Sequence, residues 1–112
     1  MDAIQLYSAT LEQLNKTITT MTSPRWDALV QAATPGERQQ ALSQMLSVQH
    51  ARLVLGNATL QDIAEQLKAN EQGLVNGQAA VQAALNTLTT VGSVLNAVSS
   101  LISVVAKIIP LL

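Results

Sequence analysis

From Leu42 to Leu112, apolar and small residues recur in alternating steps of four and three without a slip. The series opens with Leu42, Leu46, Gln49, Leu53, Gly56 and Leu60, and continues through Ile63, Leu67, Asn70, Leu74, Gly77 and Val81. It closes with Ile102, Val105, Ile109 and Leu112. Only an α-helix brings such spacings onto one side, and a register kept over many turns is the heptad pattern of helices that pack along their length. The chain is thereby committed to an all-α fold.

The segment before this series obeys the same rule, with Ile4, Tyr7, Leu11, Leu14, Ile18 and Met21 on one helical stripe. Ser23-Pro24 punctuates it: Ser is a good N-cap, and Pro is tolerated at the first helical position because its missing N–H has no partner there. A short helix from Pro24 to about Ala33 follows, with Trp26, Leu29 and Val30 as its apolar face. The sharpest boundary is "TPGE". Thr34 stands as N-cap, Pro35 at the first position and Glu37 at the third, which predicts a capping box and a helix starting at residue 35.

The stripe has weak members at Gln49, Gly56, Asn70 and Gly77, and the later two fall in the cluster "NEQGLVNG". Glycine commonly ends a helix in the left-handed conformation, so a turn is expected between Asn70 and Gly77. The expected architecture is an elongated antiparallel helical bundle with coiled-coil-like heptad packing, in one domain spanning 1–112. Its three arms are 2–33, kinked at Pro24, then 35–70 and 77–110, each roughly 50 Å long at 1.5 Å per residue. The competing picture is one unbroken helix from residue 35 to the end, roughly 110 Å long by the same rule. A weaker break at "LGNAT", with Thr59 and Asp62 as a further capping box, makes four helices instead of three.

Charge and composition remove several function classes. The formal net charge is −1, and the six Lys and Arg residues are scattered, so no basic patch displaces phosphate counterions from nucleic acid. Cysteine is absent, which removes thiolate metal sites, disulfides and cysteine nucleophiles. The lone His50 makes no common metal set and reads as a surface or boundary residue. Asp62 and Glu65 share a helix face, but with Lys68 and Glu71 beside them they read as a solvated charged face rather than an acid–base pair. "GLVNG" lacks the lysine and the preceding strand of a phosphate loop. No enzyme, no cofactor and no metal site is expected. Asp2 and Glu12 interrupt what would be a signal peptide, so the expectation is a cytoplasmic or membrane-associated protein, or export by a route independent of such a signal.

Charged residues are only 12%, and polarity is carried by Gln, Asn, Ser and Thr, leaving few charges to hold copies apart. This composition resembles that of self-assembling exported filament subunits of bacteria and of small phage-type helical proteins. The likeness is one of composition, covers no motif and carries over no residue.

Everything from Gln72 to Ala106 is uncharged. Along this arm, Ala84, Leu88, Val91, Leu95, Val98, Ile102, Val105 and Ile109 form an apolar stripe. Gln82, Asn86, Thr89, Ser93, Asn96, Ser100, Ser103 and Lys107 form a weakly polar one at the same spacing. Three uses of this second face are open. It is solvated, or it packs against another subunit, since Ser, Thr, Ala and Gly permit near approach of helices, or residues 88–112 contact a membrane, with Lys107 able to snorkel. The reading preferred here is a non-enzymatic assembly or adaptor subunit whose partner is another protein or its own copies. Its candidate interface is that polar stripe together with Trp26, a residue type common at interfaces. The alternative is a membrane-active protein, pore-forming or lipid-binding, using the same arm.

Overall fold

The helices starting at Ala3, Pro24, Pro35 and Val91 each have a local side-chain cap. The computed structural model describes residues 1–88 and 90–109, and among these the elements are α1 (Ala3–Met21), α2 (Pro24–Gln31), α3 (Pro35–Asn57), α4 (Leu60–Ala69), α5 (Glu71–Thr87) and α6 (Val91–Val105). Asp2 caps α1: its Oδ1 accepts from the Gln5 amide at 2.8 Å while Gln5 Oε1 accepts from the Asp2 amide at 3.0 Å. Ser23 Oγ accepts from the Trp26 amide at 3.3 Å and Pro24 opens α2. The box predicted at "TPGE" is present, with Glu37 N donating to Thr34 Oγ1 at 3.2 Å and Thr34 N to Glu37 Oε1 at 3.4 Å. Thr59 is the N-cap of α4 but makes no side-chain cap bond, so the box with Asp62 does not form.

The expected arms are divided further. The first breaks at Thr22–Ser23 rather than kinking, the second breaks at Ala58–Thr59, and the third breaks between Thr87 and Val91. The turn expected within Asn70–Gly77 lies at Asn70 alone, and α5 runs uninterrupted through Gln72–Gly77. Gly73 and Gly77 therefore do not end a helix. A Cβ on Gly73 would stand 3.3 Å from both methyls of Val104, and one on Gly77 would stand 3.1 Å from Leu101 Cδ1. Both glycines sit where α6 approaches closely, so an added methyl would press on its side chains. The chain reverses again at Leu88, which takes the left-handed conformation (φ 42°, ψ 45°) although it is not glycine. The molecule is also shorter than arms of ~50 Å require. It measures 43 × 26 × 18 Å with a radius of gyration of 13.9 Å, close to the ~13 Å of a compact globule this size.

Side-chain contacts fix the helix directions. Arg52 Nε donates to Asn15 Oδ1 at 2.7 Å and the Tyr7 hydroxyl donates to the Leu55 carbonyl at 2.9 Å, so α3 runs back along α1. Gln78 Nε2 donates to Thr10 Oγ1 at 3.0 Å, and further along Leu85 and Asn86 lie beside Asn15 and Thr19, so α5 runs with α1. Gly73 beside Val104 and Gly77 beside Leu101 set α6 antiparallel to α5. Glu37 lies near Gly92, Gln40 and Gln44 line a groove with Leu95 and Asn96, and Val54 lines another with Ile109, so α6 runs in the same direction as α3.

The core draws on all six helices, with Leu6, Leu14, Trp26, Val48, Leu55, Leu67, Leu74, Val81, Val98 and Leu101 among its members. The four-and-three stripe points into it from Ile63 onward, where Ile63, Leu67, Leu74, Val81, Val91, Leu95, Val98, Val105 and Ile109 are buried. In α3 it does not. The buried residues there are Ala41, Val48, Ala51 and Leu55, while Leu42, Leu46 and Leu53 are 67%, 62% and 60% exposed. In α1 the core face includes Thr10, Gln13 and Thr17, and Ile4 is exposed. The buried threonines are tolerated because Thr10 Oγ1 donates to the Leu6 carbonyl at 2.7 Å and Thr17 Oγ1 to the Gln13 carbonyl at 2.8 Å.

Candidate interface on α3 and α6

α6 buries Val91, Val94, Leu95, Val98, Leu101 and Val105 and turns its opposite side outward. Of the polar residues expected to share a face, Ser93, Asn96, Ser100, Ser103 and Lys107 are all exposed on or just after α6, and Asn86 is exposed near the end of α5. Gln82 is half-buried, with its Nε2 donating to Asn86 Oδ1 at 2.9 Å. Thr89 lies outside the described residues. Trp26 is buried and lines a small groove with Met21, Val30, Ala41 and Met45, so its surface is used inside the fold.

The α6 stripe is largely self-satisfied. Ser100 Oγ donates to the Asn96 carbonyl at 3.1 Å and Ser103 Oγ to the Ser99 carbonyl at 3.0 Å. At the helix start, Thr90 Oγ1 accepts from the Ser93 amide at 3.2 Å and lies 2.6 Å from Ser93 Oγ. Covering these serines therefore leaves no hydroxyl donor stranded, which is the expensive way to bury a polar group.

The spacing-based reading missed the neighbouring face. α3 is apolar on two sides: Ala41, Val48 and Leu55 point inward, and Leu42, Leu46 and Leu53 point outward with Gln49 between them. The signal was present as two interleaved apolar sets one residue apart, of which only the bulkier set was taken for the core. A shallow groove of about 200 Å³ between α3 and α6 is lined by Gln40, Ser43, Gln44, Leu95, Asn96 and Ser99, while Leu42 lies at the groove beside Trp26.

Elsewhere the chemistry is sparse. Among the described residues no group of three or more His, Cys, Asp or Glu side chains converges on a metal-sized site. Asp62, Glu65 and His50 are exposed. Lys68 Nζ lies 2.8 Å from Glu71 Oε1, and the Met1 amine lies 3.0 Å from Glu71 Oε2. These contacts, the Lys68 hydrogen bond first and the amine second, hold the Glu71 carboxyl below its ordinary range. The groove between α1 and α5, about 330 Å³, is open and lined by Glu12, Asn15, Lys16, Thr19, Gln82 and Asn86, with Glu12 and Lys16 paired at 3.2 Å. No described helix is long and apolar enough to cross a membrane. No family profile, curated protein or solved structure matches the chain.

Proposed function

We propose that the protein is a non-enzymatic helical assembly or adaptor subunit, acting by presenting an outward helix face to another protein. The observation that supports this is the side of α6 that its own fold leaves open. That side is free of charge from Val91 to Ala106 and hydrogen-bonded within itself at Ser100 and Ser103. A surface kept apart by charge repels close neighbours; this one lets another helix approach. The lengthwise packing of α6 on α3 and α5 also supports reading the fold as a helical bundle, with α6 as the member that carries the contact surface.

The alternative, a membrane-active protein using residues 88–112, requires α6 to leave this core, because Val94, Val98, Leu101 and Val105 are buried in it. Light scattering in plain buffer, in detergent and with lipid vesicles separates the two. The assembly reading expects a defined mass in plain buffer and no gain of vesicle binding. A protein that needs detergent to stay in solution, or that transfers onto vesicles, sinks it.

A further inference from the structure

We infer that the outward faces of α3 and α6 together form a twofold interface with a second copy of this chain. The inference rests on the assembly reading and names its partner. The first argument is register. Leu42, Leu46, Gln49 and Leu53 keep coiled-coil spacing on the side of α3 turned away from its buried residues, and three of them are leucines exposed by 60% or more. A seam with this spacing matches its own reverse. With two α3 helices antiparallel and a twofold axis between Leu46 and Gln49, Leu42 of one copy meets Leu53 of the other. Leu46 then meets Gln49. The same operation lays α6 of one copy along α6 of the other, because α6 runs parallel to α3 at its side.

The second argument is charge. Between Gln39 and Asn57 the only Lys, Arg, Asp or Glu is Arg52, and its guanidinium turns to Asn15 of α1. Between Val91 and Ala106 there is none. The molecule as a whole carries −1. Two copies meet without like charges opposed, and nothing on the face selects a strongly acidic or basic partner.

The third argument is area. α3 is about 35 Å long and α6 about 22 Å, and two packed helices present a band roughly 20 Å wide. The joint face is then roughly 600 Å² per copy, below the ~800 Å² of a standard interface and above the ~400 Å² of ordinary crystal contacts. An interface of this size fits a dimer that exchanges with monomer, so association is sought across a wide concentration range.

Sedimentation of the whole chain over roughly 1 μM to 1 mM tests this. The mass is expected to rise with concentration towards twice 11.9 kDa. Leu46→Lys and Leu53→Lys, both at exposed sites that the fold does not use, should each weaken association at least ~100-fold while leaving the circular dichroism unchanged. Because the chain has no cysteine, single Leu42→Cys and Leu53→Cys proteins report orientation. Mixed and oxidised, they should cross-link to each other and neither to itself. A chain that stays monomeric at 1 mM overturns the inference but leaves a heterologous partner open under the assembly reading. An oligomer indifferent to both lysines also overturns it, placing self-association elsewhere. Cross-linking of Leu53→Cys to itself overturns the antiparallel register.

Discussion

Gly77 of α5 lies directly against Leu101 of α6: a methyl group on Gly77 would stand 3.1 Å from Leu101 Cδ1 and 3.5 Å from its Cα. The Cα distance is ordinary contact; the tight one is to Cδ1, and the Leu101 side chain, only 1% exposed, has little room to turn away. Replacing a helical glycine with alanine ordinarily stabilises by ~1 kcal/mol, whereas overfilling a packed contact costs ~1–3 kcal/mol. Gly77→Ala should therefore lose about 1 kcal/mol net. Gly36, in the first turn of α3 with nothing within 4 Å, is the control. Gly36→Ala should gain about 0.5 kcal/mol. Urea midpoints at constant slope measure both, and equal responses would show that α6 has room to withdraw from α5.

Thr34 and Glu37 share three hydrogen bonds at the start of α3. Thr34→Ala should lower stability by ~1 kcal/mol, the usual worth of an N-cap. Thr34→Asn should restore most of it, since Asn caps as well. An unchanged midpoint in the alanine variant would place the start of α3 elsewhere.

These two sites mark what a sequence gives away and what it withholds. The starts at Ser23-Pro24 and Thr34-Pro35 were legible because a cap and its proline act within four residues, with no help from the rest of the fold. Gly73 and Gly77 were misread as a turn because glycine answers to two demands, a left-handed backbone or a close neighbour, and the neighbours here are Val104 and Leu101. The inward set of α3 was hidden for a related reason. Ala41 and Ala51 are small yet buried, so by size the exposed leucines resemble the core. Although Gln82 and Asn86 fall on α5, the part of the polar stripe on α6, Ser93, Asn96, Ser100 and Ser103, was legible because these residues obey one spacing on one helix. Its neighbour on α3 was not, because only the tertiary fold sets two helices side by side.

Leu88 turns the chain between α5 and α6 with φ 42° while 7% exposed. A left-handed backbone costs a branched residue ~1–2 kcal/mol, and burial of the side chain offsets that. Leu88→Ala keeps the strain and loses the burial, for ~2–4 kcal/mol. Leu88→Gly loses the burial too but relieves the strain. Glycine should therefore be the milder substitution by ~1 kcal/mol, the reverse of their order in a helix. A less stable glycine variant would mean that Leu88 is not held left-handed in solution.

Glu71 is held below its ordinary value of 4.5, first by the Lys68 hydrogen bond and then by the Met1 amine. A carboxylate depressed in the folded state stabilises fully above its unfolded value, and that contribution disappears as pH falls through the folded one. Wild type and Glu71→Gln should thus differ at neutral pH and converge in acid, below the ordinary carboxylate range. Because the pair is solvent-exposed, the difference is small and should shrink further with added salt. Thermal midpoints from roughly pH 2 to pH 7 at two salt concentrations measure it. A difference that persists at the acid end would point to a contact made by the protonated side chain.

Ser100 sits mid-stripe on the outward face of α6, its hydroxyl bonded to its own helix. Within a monomer, Ser100→Lys adds an exposed charge and should change stability by no more than about 0.5 kcal/mol. Across a protein interface the same ammonium has to lose water without gaining a partner, which is unfavourable enough to separate the subunits. On anionic vesicles it would instead add about 1 kcal/mol of attraction. One substitution therefore gives three distinct results for one face. The expected result is a chain as stable as wild type, with a lower mass at a given concentration and no added affinity for vesicles. Measured beside Leu46→Lys, it also apportions the contact. Loss of association in both variants makes α3 and α6 one continuous surface, whereas loss only in Ser100→Lys confines the interface to α6.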